Sequence, residues 1–86
     1  MYEVNLSGEA RDTVSHLPLG PLKELAEFLD LLSLDPYVGN LYRRSGSDLR
    51  TAAVAGDELL VVWLVLESQE RVEVLRLVWL GYPPEG

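Results

Sequence analysis

The sequence predicts an α+β domain: a strand, two helices, then three or four hairpin-linked strands, with the helices grouped on one side of a largely antiparallel sheet. Three observations predict it. The N-terminal stretch "YEVNL" alternates apolar and polar residues with a period of two. Residues 22–32 carry an apolar stripe at helical spacing. From residue 41 onward, short apolar runs alternate with turn residues. No repeat, low-complexity tract or linker divides the chain, so residues 1–86 read as one domain.

Taken in order, Tyr2, Val4 and Leu6 share one face of the first strand. Ser7 stands where a helix N-cap belongs, and Glu9 in the first turn favours the helix dipole. Ala10, Val14 and Leu17 follow at helical spacing, and Pro18 and Gly20 end this helix after roughly ten residues. Pro21 is expected to restart a helix at its first position, where a missing N–H costs nothing. Leu22, Leu25, Ala26, Leu29 and Leu32 form its buried stripe, widened by Phe28. Lys23, Glu24, Glu27 and Asp30 take the opposite, solvated face. Asp35, preceding a proline, stops the helix, and Gly39-Asn40 is turn chemistry. "LYRR" and "DLRTAAVA" read as strands joined by an "SGS" turn, and "GDE" is a hairpin signal. "LLVVWLVL" is apolar on both faces and is expected to be the central, doubly covered strand. "ESQE" turns the chain into "RVEVLRLVWL", and "GYPPEG" is expected to fray.

Composition narrows the function classes. There are no cysteines and a single histidine, His16, which excludes disulfides, a thiolate nucleophile and a histidine-cluster metal site. No cofactor is implied. The longest apolar run, Leu59–Leu66, is far short of the ~20 residues that cross a bilayer. "MYEVNLSGEARD" has neither the basic nor the apolar region of a signal peptide, so a soluble cytoplasmic protein with no membrane partner is expected. Seven Lys and Arg against fourteen acids give a net charge of −7, which repels a phosphate backbone on average. The one basic spot is "RRSGSDLR", with Arg43, Arg44 and Arg50; its plainer reading is a solvated loop.

These words, in this order, resemble the RelE/ParE superfamily of bacterial type II toxins. "YEVNLSGEARDTVSHLP" is similar to the family's opening strand and helix, and "LAEFLDLLSLDPYVGN" to its second helix. "DLRTAAVAGDELLVVWLVL" resembles its arginine-led hairpin and "VEVLRLVWLG" its last strand, so the likeness spans nearly the whole chain. The resemblance implies a cognate antitoxin protein as partner. It also implies one of two targets, messenger RNA on the ribosome or DNA gyrase. The nuclease branch drives a ribose 2′-hydroxyl onto the adjacent phosphate. That transesterification needs a base, cations for the developing charge and an acid for the leaving oxygen.

Carried over by position, the family's hairpin arginine falls on Arg50. The second arginine of the hairpin is missing, because Leu59 and Leu60 occupy its stretch. The closing histidine–arginine pair falls on Trp79 and Leu80, and the terminal tyrosine has only Tyr82 as a stand-in. The resemblance therefore implies Arg50, Arg76 and Tyr82 as catalytic candidates, with Arg43 and Arg44 as RNA- or partner-binding residues. The adjacent Arg43 and Arg44 of a strand point to opposite faces, so only one can join Arg50.

Each candidate also has a structural reading. Arg50 is either a phosphate or acidic-partner contact, or half of an ion pair with an acid such as Asp48 or Glu73. Arg76, flanked by apolar residues, is expected to be paired or at an edge. His16 suits a helix C-terminal dipole, and Trp63 and Trp79 suit core or interface packing. Two functions remain open. One is a toxin or toxin-like protein bound to an antitoxin and, if active, a ribosome-dependent mRNA endoribonuclease, a target that the net charge of −7 disfavours. The other is a non-enzymatic protein-interaction module on the same scaffold, binding a basic or apolar segment. Any homodimer is expected to use the apolar strand surface or the helical pair.

Overall fold

The structure, a computed structural model, describes residues 1–43 and 48–81 and, for Tyr42 and Arg43, the backbone alone. The elements follow the expected order: β1 (Glu3–Leu6), α1 (Gly8–Val14), α2 (Leu19–Leu34), β2 (Asn40–Arg43), β3 (Asp48–Val54), β4 (Leu59–Leu66) and β5 (Arg71–Trp79). The strands form one sheet in the order β1-β5-β4-β3-β2. Every pairing is antiparallel except that of β1 with β5, which is parallel. The two helices carry the chain from β1 to the far edge of the sheet, and three hairpin steps bring it back to β1's side.

Local chemistry sets the element ends. The Ser7 side chain accepts a hydrogen bond from the Ala10 N–H at 3.1 Å and caps α1, as its position predicts. Helix α1 is shorter than expected and closes at Ser15. Helix α2 begins earlier than expected, at Leu19 with Pro18 as its N-cap, so Pro21 is the third helical residue rather than the first. A proline is tolerated there because N–H groups of the first turn have no intrahelical acceptor. At the other end Asp35 turns extended (φ −147°, ψ 92°), since Pro36 disfavours helical backbone before it. Between β3 and β4, Ala55, Gly56 and Asp57 all have positive φ, which makes the hairpin turn anticipated around "GDE".

The core lies between α2, α1 and one face of the sheet. Leu25 and Leu32 of α2 meet Leu59, Val61, Trp63 and Val65 of β4 and Val72, Val74 and Leu77 of β5. Each such side chain contributes about 1.5–3 kcal/mol on burial. The Phe28 and Trp63 rings pack edge to face, with centroids 5.5 Å apart. Ala26 is exposed rather than part of the stripe.

Strand β4 is central, as its composition predicts, but among the described residues only one of its faces is fully buried. Its residues alternate strictly between buried (Leu59, Val61, Trp63, Val65) and half-buried (Leu60, Val62, Leu64, Leu66). Both helices precede the hairpin strands and pack toward one face. Among the described residues, the second face has no covering element beyond Glu9 of α1 at its rim.

Strand β5 contains a bulge. Val62 pairs with Arg76 while the next residue, Trp63, pairs with Val74, so Leu75 has no cross-strand partner. Here β1 has already ended, and α1 closes the exposed edge of β5. The Ser7 N–H donates to the Val74 carbonyl at 2.9 Å and Ser7 Oγ to the Leu75 carbonyl at 2.8 Å. Thr13 Oγ1 donates to the Leu77 carbonyl at 3.3 Å. Those carbonyls would otherwise be left without strand partners.

Candidate functional site

Arg50 sits on the helix-covered face, opposite the fully buried Trp63 in the β3–β4 ladder. Its Nη1 donates to the Tyr37 carbonyl at 2.8 Å, and its guanidinium carbon lies 5.3 Å from the centre of the Tyr37 ring. Asp48 Oδ1 is 3.8 Å from Nη2, and the side chain is only 18% exposed. The Trp63 indole N–H donates to the Pro36 carbonyl at 2.9 Å. Two neighbouring ladder residues thus hold the segment that leads from α2 to β2. Glu73, the other acid considered for Arg50, pairs instead with Arg71 at 2.7 Å.

Tyr37 completes this corner. Its ring meets Tyr2 edge to face at 6.4 Å. Its hydroxyl is buried beside Tyr2 and Glu67 without a well-formed hydrogen bond to either. Burial first, then the Tyr2 hydroxyl and the Glu67 carboxylate, raise the phenol well above the ordinary tyrosine range.

Arg76 lies on the other face. It pairs with Val62, whose side chain points away from the core. Its Nε is 3.1 Å from Glu9 Oε1, and both side chains are more than 60% exposed (63% and 62%). Arg50 and Arg76 are therefore not brought together, because the sheet separates them. Strand β2 sets the backbone of Arg43 opposite Leu49, just past an irregularity in the β2–β3 register. Arg44 and Tyr82 lie outside the described residues.

The open face carries a cleft of about 310 Å³ lined by Leu49 of β3, Leu60 and Val62 of β4, and Leu75, Arg76 and Val78 of β5, with Glu9 at its rim. Arg71, further along the same face, is held by Glu73 and lies 3.9 Å from Glu3. Thus Arg71 and Arg76, the two arginines of this face with described side chains, are engaged by carboxylates. Among the described residues, no three His, Asp or Glu side chains converge as a metal site would require. No described helix is long and apolar enough to cross a membrane.

Some of this is not visible in the sequence. Glu9 registers there only as a helix-dipole residue, and Leu60, Val62 and Leu64 as core. The Arg71–Glu73 pair had a signal, since residues two apart in a strand share a face. His16 matches its plainer reading: at the end of α1 its Nδ1 is 2.8 Å from the Asp12 carbonyl.

No protein-family description and no curated protein matches the sequence. Solved structures do. The chain superposes on a chain of the intact E. coli RelBE toxin–antitoxin complex with a TM-score of 0.80 at 15% identity, covering 95% of this chain and 100% of that one. The fold is that of the RelE/ParE toxins. The toxin–antitoxin complex RelBE2 from Mycobacterium tuberculosis gives a TM-score of 0.76 at 25% identity, over 91% and 96% of the two chains. The archaeal RelE–RelB complex from Pyrococcus horikoshii gives 0.65 at 20% identity, over 93% and 96%. Within the RelE-like fold of this chain, the apolar open face and the Arg50 corner lie on opposite sides of one sheet.

Proposed function

We propose that this chain is a toxin-like component of a toxin–antitoxin pair, and that its working act is to bind a protein partner through the open face of its sheet. One observation carries the reading. The face not covered by the chain's own helices presents Leu49, Leu60, Val62, Leu64 and Val78 in a continuous apolar field, and its described arginines are engaged by carboxylates. Contiguous apolar residues on an open face mark interaction sites or ligand grooves. The RelE proteins of the similar structures are seen in complexes with RelB antitoxins, which makes an antitoxin the natural partner class.

The finer reading, a ribosome-dependent mRNA endoribonuclease acting in the cytoplasm through Arg50, Arg76 and Tyr82, is less well supported. A phosphate held by Arg76 on one face is out of reach of Arg50 on the other, and the net charge of −7 opposes docking on RNA. The test is co-expression with the adjacent gene, followed by purification. The expected result is a complex that Val62→Arg disrupts, with no growth arrest when the chain is induced alone. Growth arrest that Arg76→Ala relieves in a folded variant would establish the nuclease reading instead.

A further inference from the structure

We infer that the segment docking on this open face is cationic as well as apolar: an amphipathic stretch of another protein whose leucine-like side chains are flanked by Lys or Arg. The inference rests on the partner-binding reading above and adds the chemistry of the partner.

Charge at the rim carries it. Among residues whose side chains are described, the open face bears three carboxylates, Glu3, Glu9 and Glu73, against two guanidiniums, Arg71 and Arg76. Glu9 and Glu3 are largely exposed, and each faces its arginine from the outer edge of the apolar field. An exposed pair of this kind is weak, so an incoming ammonium or guanidinium can share its carboxylate at little cost. The rest of the chain reinforces the sign, because fourteen acids against seven cations give a field that attracts positive segments and speeds their encounter. The same field opposes the alternative occupants. A second copy of this chain would bring one acidic rim against another, and an acidic segment would leave Glu3 and Glu9 facing like charges.

The apolar half of the recognition is set by β4. Leu60, Val62 and Leu64 stand in a row about 7 Å apart on a strand, flanked by Leu49 on β3 and by Leu75 and Val78 on β5. A helix laid along that row would place one apolar side chain per turn over it, with its polar flanks at the acidic rim.

The experiment titrates the full chain with two synthetic amphipathic peptides of identical leucine spacing, one with lysine and one with glutamate on its polar face. The lysine peptide is expected to bind at least roughly tenfold more tightly at low salt, with the gap narrowing as salt rises. Val62→Lys and Leu64→Lys, each checked for folding by circular dichroism, should weaken lysine-peptide binding roughly tenfold or more. Leu34→Lys, at an exposed position of α2, should leave it within about twofold. Equal or tighter binding of the glutamate peptide overturns the inference, as does binding of neither peptide. An effect of Leu34→Lys as large as that of Val62→Lys also overturns it, because attraction would then reflect bulk charge alone. A co-purified natural partner that is acidic yet displaced by Val62→Arg would sink the charge assignment while leaving the partner-binding reading intact.

Discussion

Arg50 and Trp63 are cross-strand partners that reach into the same loop: Arg50 donates to the Tyr37 carbonyl at 2.8 Å, and Trp63 donates to the adjacent Pro36 carbonyl at 2.9 Å. Two consecutive carbonyls, which no regular element satisfies, are thereby tied to the centre of the sheet. The pair fixes where α2 ends and β2 begins. It also assigns Arg50 a task that needs neither substrate nor partner.

Arg50→Ala should therefore lower stability by about 1.5–3 kcal/mol, the range for a hydrogen bond from a charged donor to a partly buried acceptor. Urea denaturation measures it. Partner binding through the open face should be unchanged once the variant is folded. Loss of function at unaltered stability would contradict the structural role.

The Arg76–Glu9 pair should behave in the opposite way. Both side chains are mostly exposed, so Arg76→Ala should cost about 0–1 kcal/mol and its effect should fade with salt. Comparing its denaturation midpoint with that of Arg50→Ala ranks the two arginines directly. A larger loss for Arg76 would mean that the open face is more buried than described.

Gly39 is the glycine that the same corner cannot replace. Its φ is +78°, and a Cβ there would lie 2.7 Å from the Thr51 carbonyl oxygen and 2.9 Å from the Trp63 ring. Gly39→Ala should cost about 1–3 kcal/mol or more in thermal or urea unfolding. Gly20→Ala is the control. Nothing lies within 4 Å of its Cβ position in α2, and the substitution should stabilise by about 0.4–1 kcal/mol.

Tyr37 predicts an alkaline component of unfolding. Its folded pKa is raised, first by burial and then by Tyr2 and Glu67, so the native state holds its proton where the unfolded state releases it. Above the ordinary tyrosine value of about 10, the unfolded chain binds fewer protons than the folded one, and stability falls as pH rises. Below that value this contribution is fully present. The drop in denaturation midpoint between about pH 9 and pH 11 should be smaller in Tyr37→Phe than in the parent chain. Equal drops would show that the phenol is freely hydrated.

Much of the fold was legible in the residues, because the relevant signals are local. Ser7 caps α1, Asp35 before Pro36 ends α2, and the positive-φ turn at Ala55, Gly56 and Asp57 closes the β3–β4 hairpin. The site was less legible. Alternation from Val72 and Val74 alone would put Arg76 on the buried face beside Arg50. The bulge at Leu75 shifts the phase by one residue, turning Leu77 inward and Arg76 outward.

The sequence by itself determined the order of elements and the central place of "LLVVWLVL", since periodicity and caps need no neighbours. Only the tertiary structure decided which faces Arg50 and Arg76 occupy and which face of β4 the helices cover. A strand's side chains alternate whatever surrounds them, but what covers each face depends on distant segments and on register. Here α2 and α1 gather over one side, a single bulged residue turns Arg76 to the other, and among the described residues no element covers that second face of β4.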